Sequence, residues 1–291
     1  MSSSETRARG PLAAGDRVQL TDPKGRRHQI VLRNGQVFHT HRGTLNHDDL
    51  IGAPDGSVVT SSGGTVYVVL RPLLADYTLA MKRGATVVYP KDAAQIVAFA
   101  DVFPGARVME AGAGSGALSC WLLRAAGPSG LVVSYERRPD FAKIASDNVL
   151  GFYGELPAWW RLREGDLQVP PEETGTYDRL ILDMLAPWDC VPAAAQALDG
   201  GGLICSYVAT TTQLSRIVEE LRTHGGFDEP QSWETLRRGW HVEGLAVRPE
   251  HRMIGHTGFL VTARRLAPGV AAPPRRRRPA KGAYGDEEAT Y

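Results

Sequence analysis

From Arg107 the chain runs Val108-Met109-Glu110-Ala111 and then places glycines at alternate positions, Gly112, Gly114 and Gly116. An apolar strand that enters such a turn and leaves it as a helix constrains the fold more than any other segment. With no side chains at the turn, the backbone can take left-handed conformations, and a ligand can come close to the free N–H groups of the following helix. The pattern then repeats. Strand 107–111 leads into helix 115–126, strand 131–135 into helix 139–150, and strand 178–182 into a helix from about Trp188. Strand 203–208 leads into helix 211–224, where Leu214, Ile217, Val218 and Leu221 make one apolar stripe. Strands at about 232–236, 241–247 and 257–264 close the region. This alternation predicts an α/β domain with a parallel sheet covered on both faces and ligands at the carboxyl ends of its strands.

Ahead of that region the character is different. Val18 and Leu20 alternate with polar neighbours, Ile30 and Leu32 do the same, and Val37 and Phe38 follow Asn34-Gly35. The Asn-Gly pair predicts a hairpin, because both residues tolerate positive φ. A short helical stretch near His47–Ile51 precedes strands at Val58-Val59 and Thr65–Leu70, and helices are predicted over 71–83 and from Asp92 to about Ala100. The resulting divisions are a loose N-terminus (1–14), a β-rich module (15–72), the α/β domain (73–266) and a Pro- and Arg-rich tail expected to be disordered (267–291), with Arg275 to Arg278 consecutive.

Composition sets outer limits. A chain of 291 residues that is 43% hydrophobic buries a large core without disulfide staples. Its three cysteines (Cys120, Cys190, Cys205) are an odd number without CxxC spacing, which argues against a disulfide framework and a cysteine zinc site, so no metal is expected. No apolar run approaches the roughly 18–20 residues that span a bilayer. The first residues lack a signal peptide's apolar core, so the expectation is a cytoplasmic protein with no membrane contact. A formal net charge of +1 leaves nucleic acid open as a partner, since binding needs only a local basic surface.

The glycine turn alone is ambiguous. Gly112, Gly114 and Ala117 satisfy the dinucleotide fingerprint, and Glu136 lies near the distance expected of a ribose-binding acid, so NAD competes. Two features favour a different ligand. Glu110 places negative charge where a pyrophosphate would pass, which suits a ligand carrying an ammonium and a sulfonium. The third glycine also follows at one-residue spacing, giving Glu-x-Gly-x-Gly-x-Gly. That sequence resembles motif I of the class I S-adenosyl-L-methionine-dependent methyltransferases. The resemblance implies S-adenosyl-L-methionine as cofactor, with Glu110, Gly112, Gly114, Ser115, Gly116 and Ala117 around its methionine end. It further implies that Glu136 holds the ribose hydroxyls and that Asp166, followed by Leu167, faces the adenine amino group. Asp183 would end the fourth strand beside the transferred methyl group.

The segment Leu182-Asp183-Met184-Leu185-Ala186-Pro187-Trp188 suits a planar nitrogen nucleophile. The carboxylate handles a proton, the proline sets the loop, and the aromatic can contact a base; alone, Asp183 reads equally well as a helix N-cap. Together with Tyr89-Pro90-Lys91-Asp92-Ala93, Glu110 to Gly116, Ser134-Tyr135-Glu136, Thr212-Gln213 and Gly255-His256-Thr257, this segment resembles the bacterial and archaeal tRNA N1-adenine methyltransferases, which modify adenine 58 in the T loop. The resemblance covers about residues 15–268. It implies an N-terminal β module, a Rossmann-like domain with a mostly parallel seven-stranded sheet, a homotetramer, Asp183 as the catalytic carboxylate and Tyr89 near the target base.

Base extrusion into a pocket would suit such a target, with Tyr89 or Trp188 stacking on it or, equally, only packing in the core. His256 reads as a core histidine more readily than as a substrate contact, and Lys91 as either a solvated helix start or an RNA contact. Arg237, Arg238, Arg248, Arg252, Arg264 and Arg265, with Arg26, Arg27, Arg33 and Arg42, could grip phosphates. Two other readings remain: a class I methyltransferase acting on a protein carboxylate or small molecule, and a non-catalytic RNA-binding protein with a relict pocket.

Overall fold

The computed structural model describes residues 10–167 and 176–273. Residues 1–9 and the tail beyond 273, including Arg275–Arg278, lie outside the described residues, as do the expectations placed on them.

The N-terminal part contains six strands: β1 (Arg17–Thr21), β2 (Arg27–Val31), β3 (Val37–Thr40), β4 (Gly43–Asn46), β5 (Ser57–Thr60) and β6 (Val66–Leu70). Four form an antiparallel sheet in the order β2-β1-β6-β5, and β3 pairs with β4 alone. The period of two is visible in β6, where Tyr67 and Val69 are buried while Val66, Val68 and Leu70 face out. Leu12, Val18, Leu20, Leu32, Leu45 and Leu50 complete this small core. Asn34-Gly35 does turn the chain, with Gly35 at φ 68°, but it closes no hairpin. The Gly35 N–H donates to the Asp48 carboxylate, and the turn carries the chain from one sheet to the other.

The remainder builds one seven-stranded sheet. Its elements are α1 (Leu74–Ala80), α2 (Pro90–Phe99), β7 (Arg107–Ala111), α3 (Ala117–Ala126), β8 (Leu131–Glu136), α4 (Pro139–Tyr153), β9 (Trp160–Glu164), β10 (Tyr177–Asp183), α5 (Val191–Ala197), β11 (Leu198–Val208), α6 (Thr211–His224), β12 (Gln231–Trp233) and β15 (Phe259–Arg264). The strand order is β12-β15-β11-β10-β7-β8-β9, parallel except that β15 runs against both neighbours. Alternate residues of each strand face opposite layers. Val108, Val132, Ile181 and Cys205 pack beneath α2, α3 and α4, while Met109, Val133, Leu182 and Ile204 pack with α5 and α6. Helix α6 starts on a capping box between Thr210 and Gln213 and buries the stripe Ile217, Val218 and Leu221, with Leu214 against it. Each such side chain contributes on the order of 2 kcal/mol.

One sequence expectation changes here. The strand expected at 241–247 is a hairpin, β13 (Trp240–Glu243) and β14 (Ala246–Pro249), which stands apart from the large sheet. The turn residue Gly244 adopts φ 54°, and Trp240, Val242, Leu245 and Val247 are all exposed. Among the described residues no helix is long and apolar enough to cross a membrane, and no cluster of His, Cys, Asp and Glu is placed to hold a metal ion.

Winding outward from β7 proceeds through β8 to β9 in one direction and through β10 to β11 in the other. A sheet that reverses its winding in this way leaves a crevice at the carboxyl ends of the strands on either side of the reversal. Here those strands are β7 and β10.

Candidate functional site

The glycine turn after β7 is shaped by close backbone packing. Gly112 adopts φ 90°, and a Cβ there would lie 1.9 Å from the Asp183 carbonyl oxygen of β10. Gly116, at φ 74°, begins α3, and a Cβ there would press on the Ala145 backbone of α4 at 2.9 Å. Side chains at these two positions would therefore push apart the strands and helices that form the crevice. The turn is also tied to its surroundings. Ser115 Oγ accepts from the Gly84 and Ala85 N–H groups at 3.1 and 3.3 Å, and buried Asn148 of α4 donates to the Ser115 carbonyl at 2.8 Å.

Above the turn lies a cavity of about 490 Å³. Gly112, Gly114, Ser115 and Ala117 line one end, and Glu136, Asp166 and Leu167, from the ends of β8 and β9, line the side. Asp183 and Tyr89 complete the group of expected residues that meet there. Glu136 is nearly buried. One of its carboxylate oxygens accepts the Gly114 N–H at 2.9 Å and the other the Arg138 N–H at 3.1 Å. A carboxylate has about four lone-pair sites, so acceptor capacity remains for ligand hydroxyls.

Asp183 stands at the end of β10, half-buried. Burial pushes its carboxyl up to about 7, and the neighbouring charges of Glu110 and Glu136 push the same way. Near neutrality it therefore exchanges a proton readily, the condition that suits a general base. Its parallel register partner is Tyr207 of β11.

Five expected residues lie elsewhere. Gly116 shapes the turn without facing the cavity. Glu110 is fully buried below the glycine turn, where one oxygen accepts from Ser119 Oγ at 2.6 Å and Ser134 Oγ at 2.5 Å. Burial raises its pKa against the lowering effect of the two hydroxyls. Its Oε1 has no hydrogen-bond partner, and the group lies beneath the turn rather than in the cavity wall. Trp188 packs against the α5/α6 core with the Arg216 guanidinium 4.2 Å from its ring centre, which fits the core-packing alternative. His256 is not a core histidine: it is exposed, bonded to the Ala209 carbonyl at 2.8 Å and the Glu234 carboxylate at 2.9 Å, and these partners raise its pKa.

Lys91 is neither solvated nor open to RNA. Its three N–H donors reach Asp92 at 2.6 Å, the Thr235 carbonyl at 2.7 Å and Thr257 Oγ1 at 2.6 Å. Of the ten arginines expected at a phosphate surface, Arg264 and Arg265 instead hold the main-chain carbonyls of Gly201, Ala195 and Gly226. Arg26 and Arg27 pair with Asp22 and Asp76. Among the wall residues, the sequence reading gave no role to Tyr207 or Thr257. Tyr207 lies next to the end of β11, as Glu136 and Asp183 lie at the ends of β8 and β10.

Residues 64–247 match the family model of the tRNA methyltransferase complex GCD14 subunit, and residues 10–59 match the TrmI-like N-terminal model. The chain is 39% identical over 246 residues to the tRNA (adenine(58)-N(1))-methyltransferase TrmI of Thermus thermophilus, covering 84% of this chain and 95% of that one. The chain belongs to the tRNA (adenine-58-N1) methyltransferase family. A second relative is the tRNA (adenine(57)-N(1)/adenine(58)-N(1))-methyltransferase TrmI of Methanocaldococcus jannaschii, 32% identical and covering 84% of this chain and 93% of that one.

Among solved structures, a SAM-dependent O-methyltransferase from Thermotoga maritima superposes with TM-score 0.83 at 31% identity, covering 92% of this chain and 96% of that one. The tRNA (m1A58) methyltransferase TrmI of Aquifex aeolicus gives 0.78 at 26% identity, covering 88% and 99%. The cofactor of this methyltransferase family member is S-adenosyl-L-methionine, and the crevice fits it. The glycine turn brings bare backbone to one end of the crevice, acceptors stand along one side, and the carboxyl groups of Glu136 and Asp183 in its wall favour a cation. A dinucleotide pyrophosphate would meet that same charge as repulsion.

Proposed function

We propose that this chain transfers a methyl group to N1 of adenine 58 in the T loop of tRNA. The observation that carries the reading is the meeting of Asp183 with the glycine turn, Glu136 and the Tyr89–Tyr207 side of one crevice. S-adenosyl-L-methionine, when bound, supplies a methyl carbon activated by a sulfonium. Gly112, Gly114, Ser115 and Ala117 bind its methionine end, Glu136 its ribose hydroxyls, and Asp166 with Leu167 its adenine. Glu110 lies beneath the turn, bonded to Ser119 and Ser134.

Adenine N1 is a weak nucleophile whose lone pair lies in the ring plane, so an extruded base has to be held edge-on to the methyl carbon. Asp183 accepts a hydrogen bond from the exocyclic N6, and this fixes the ring's rotation. Methyl transfer to N1 would leave positive charge on the adenine ring. The Asp183 carboxylate stabilises that charge or takes the N6 proton. Tyr89 bounds the base from the α2 side. Arg237, Arg238, Arg248 and Arg252, all exposed around the β13–β14 hairpin, contact phosphates together with Arg33 and Arg42 of the N-terminal part.

The same hairpin supports a homotetramer. A two-stranded ribbon is marginal by itself, and this one exposes Trp240, Val242, Leu245 and Val247, with Met253 and Ile254 close behind in the chain. Burial against other copies satisfies that surface. Activity on tRNA puts the protein in the cytoplasm.

The decisive experiment supplies labelled S-adenosyl-L-methionine and two unmodified tRNA transcripts that differ only at position 58. Nucleoside mass spectrometry should find 1-methyladenosine in the adenine-58 transcript alone. Equal labelling of both transcripts refutes the site assignment. Label on a carboxyl or hydroxyl acceptor, with none on tRNA, would favour the O-methyl chemistry described for the Thermotoga structure.

A further inference from the structure

Beneath the crevice wall lies a closed polar network that the reaction scheme does not use. Asp92, in the first turn of α2, is 1% exposed and faces Lys91, whose side chain is 11% exposed. The Asp92 carboxylate accepts Lys91 Nζ on Oδ1 at 2.6 Å and Thr257 Oγ1 on Oδ2 at 2.6 Å. Thr257 Oγ1 in turn accepts from Lys91 Nζ at 2.6 Å, so this single hydroxyl bridges both charges. The Tyr207 hydroxyl donates to the Thr257 carbonyl at 2.8 Å and lies 3.4 Å from Asp92 Oδ2. A Cβ at Gly258 would lie 2.5 Å from the Tyr207 ring, so the backbone presses on that ring from the adjacent residue.

Three segments far apart in the sequence, 89–92, 207 and 257–258, are thereby held as one body. Of these residues Tyr89, Tyr207 and Thr257 line the crevice, whereas Lys91 and Asp92 do not. Tyr207 is also the register neighbour of Asp183. The ion pair therefore lies one layer behind the wall that stands beside the reacting carboxylate.

We propose that Lys91 and Asp92 are positioning residues for methyl transfer, an ion pair that fixes Tyr89, Tyr207 and Thr257 as a preformed wall for the target base. The proposal rests on the reading that this wall receives adenine 58. A buried pair of charges is seldom worth keeping for stability alone, since an apolar pair of similar size often does as well. Its value here is geometric: Lys91 directs its three donors to Asp92, the Thr235 carbonyl and Thr257, and Asp92 accepts from Lys91 and Thr257, which ties these segments together. The glycine turn, Glu136 and Asp166 lie outside the network, so the pair acts on the base and not on cofactor affinity.

The test compares wild type with Lys91→Met/Asp92→Asn, which removes both charges together and leaves neither ion unpaired, and with Thr257→Val and Thr257→Ser. In the double variant and in Thr257→Val, kcat on adenine-58 tRNA should fall at least about tenfold. The Kd for S-adenosyl-L-methionine should stay within about twofold and the KM for tRNA within about threefold. Thr257→Ser keeps the bridging hydroxyl and should retain kcat within about threefold of wild type, a rescue that a mere packing role would not produce. If the double variant fails to fold, the Thr257 pair decides alone. Near wild-type kcat in Thr257→Val, or equal losses in cofactor affinity and kcat, overturns the proposal while leaving the functional reading intact. A wild-type protein that does not methylate adenine 58 brings down the reading and this inference with it.

Discussion

Asp183 should couple the charge of the cofactor to a proton. An ordinary aspartate is ionised above pH ~4, but burial, aided by Glu110 and Glu136, holds this one near 7. The folded protein therefore binds up to one more proton than the unfolded chain between these values. Its stability falls as pH rises through that window, by at most about 4 kcal/mol and by roughly half of that once solvent at the half-open carboxyl is allowed for. A cation placed among the three acids favours the ionised form and lowers the Asp183 pKa. With the group about half protonated near pH 7, S-adenosyl-L-methionine should expel roughly 0.3–0.5 of a proton as it binds. S-adenosylhomocysteine shares the amino acid and nucleoside but has a neutral thioether, so it should expel far less. Calorimetric titration near pH 7 in two buffers of different ionisation enthalpy reads the difference directly. In Asp183→Asn the difference should vanish. Equal release by the two ligands, or an undiminished difference in Asp183→Asn, would refute the coupling. If the coupling holds, cofactor loading itself prepares the carboxylate to accept from the base.

Three further outcomes are expected. Gly112→Ala combines a backbone at φ 90° with a Cβ 1.9 Å from the Asp183 carbonyl oxygen; it should cost about 2–4 kcal/mol in chemical denaturation and abolish cofactor binding, and a wild-type midpoint would contradict the packing account. Asp183→Ala should leave cofactor affinity within a few-fold of wild type yet lower kcat by about 10² or more, as single-turnover measurements on tRNA will show; near-normal turnover would remove the group from the chemistry. Val242→Lys places a charge on the exposed hairpin and should lower the molar mass measured by light scattering without changing the thermal midpoint of the α/β domain; an unchanged mass would place the subunit contacts elsewhere.

The readable parts of this molecule were those in which one local pattern has one physical consequence. An apolar strand followed by glycines at 112, 114 and 116 has to turn tightly against its neighbours, and the structure shows the two backbone contacts, at Asp183 and Ala145, that exclude side chains. Acids at consecutive strand ends have to face one edge of a parallel sheet, so Glu136, Asp166 and Asp183 meet in the crevice. Glu110 precedes the end of its strand by one residue and so points inward, where it is buried. Asn34-Gly35 shows the limit of local turn signals. It specifies a turn, while the strands it joins are chosen by partners elsewhere, β1 for β2 and β4 for β3.

The wall opposite the glycine turn was the least legible part, for a related reason. Lys91 meets Thr235 and Thr257 across 144 and 166 residues, and no local spacing marks the fate of a lysine at the start of a helix. A buried ion pair has meaning only once the segments it joins are known. The part of the crevice around the glycine turn follows from short-range backbone geometry, whereas the wall that includes Tyr207 and Thr257 is assembled from distant side chains. Substitutions of Lys91, Asp92 or Thr257 should accordingly change how the base is held while leaving intact the cofactor half that motif I encodes.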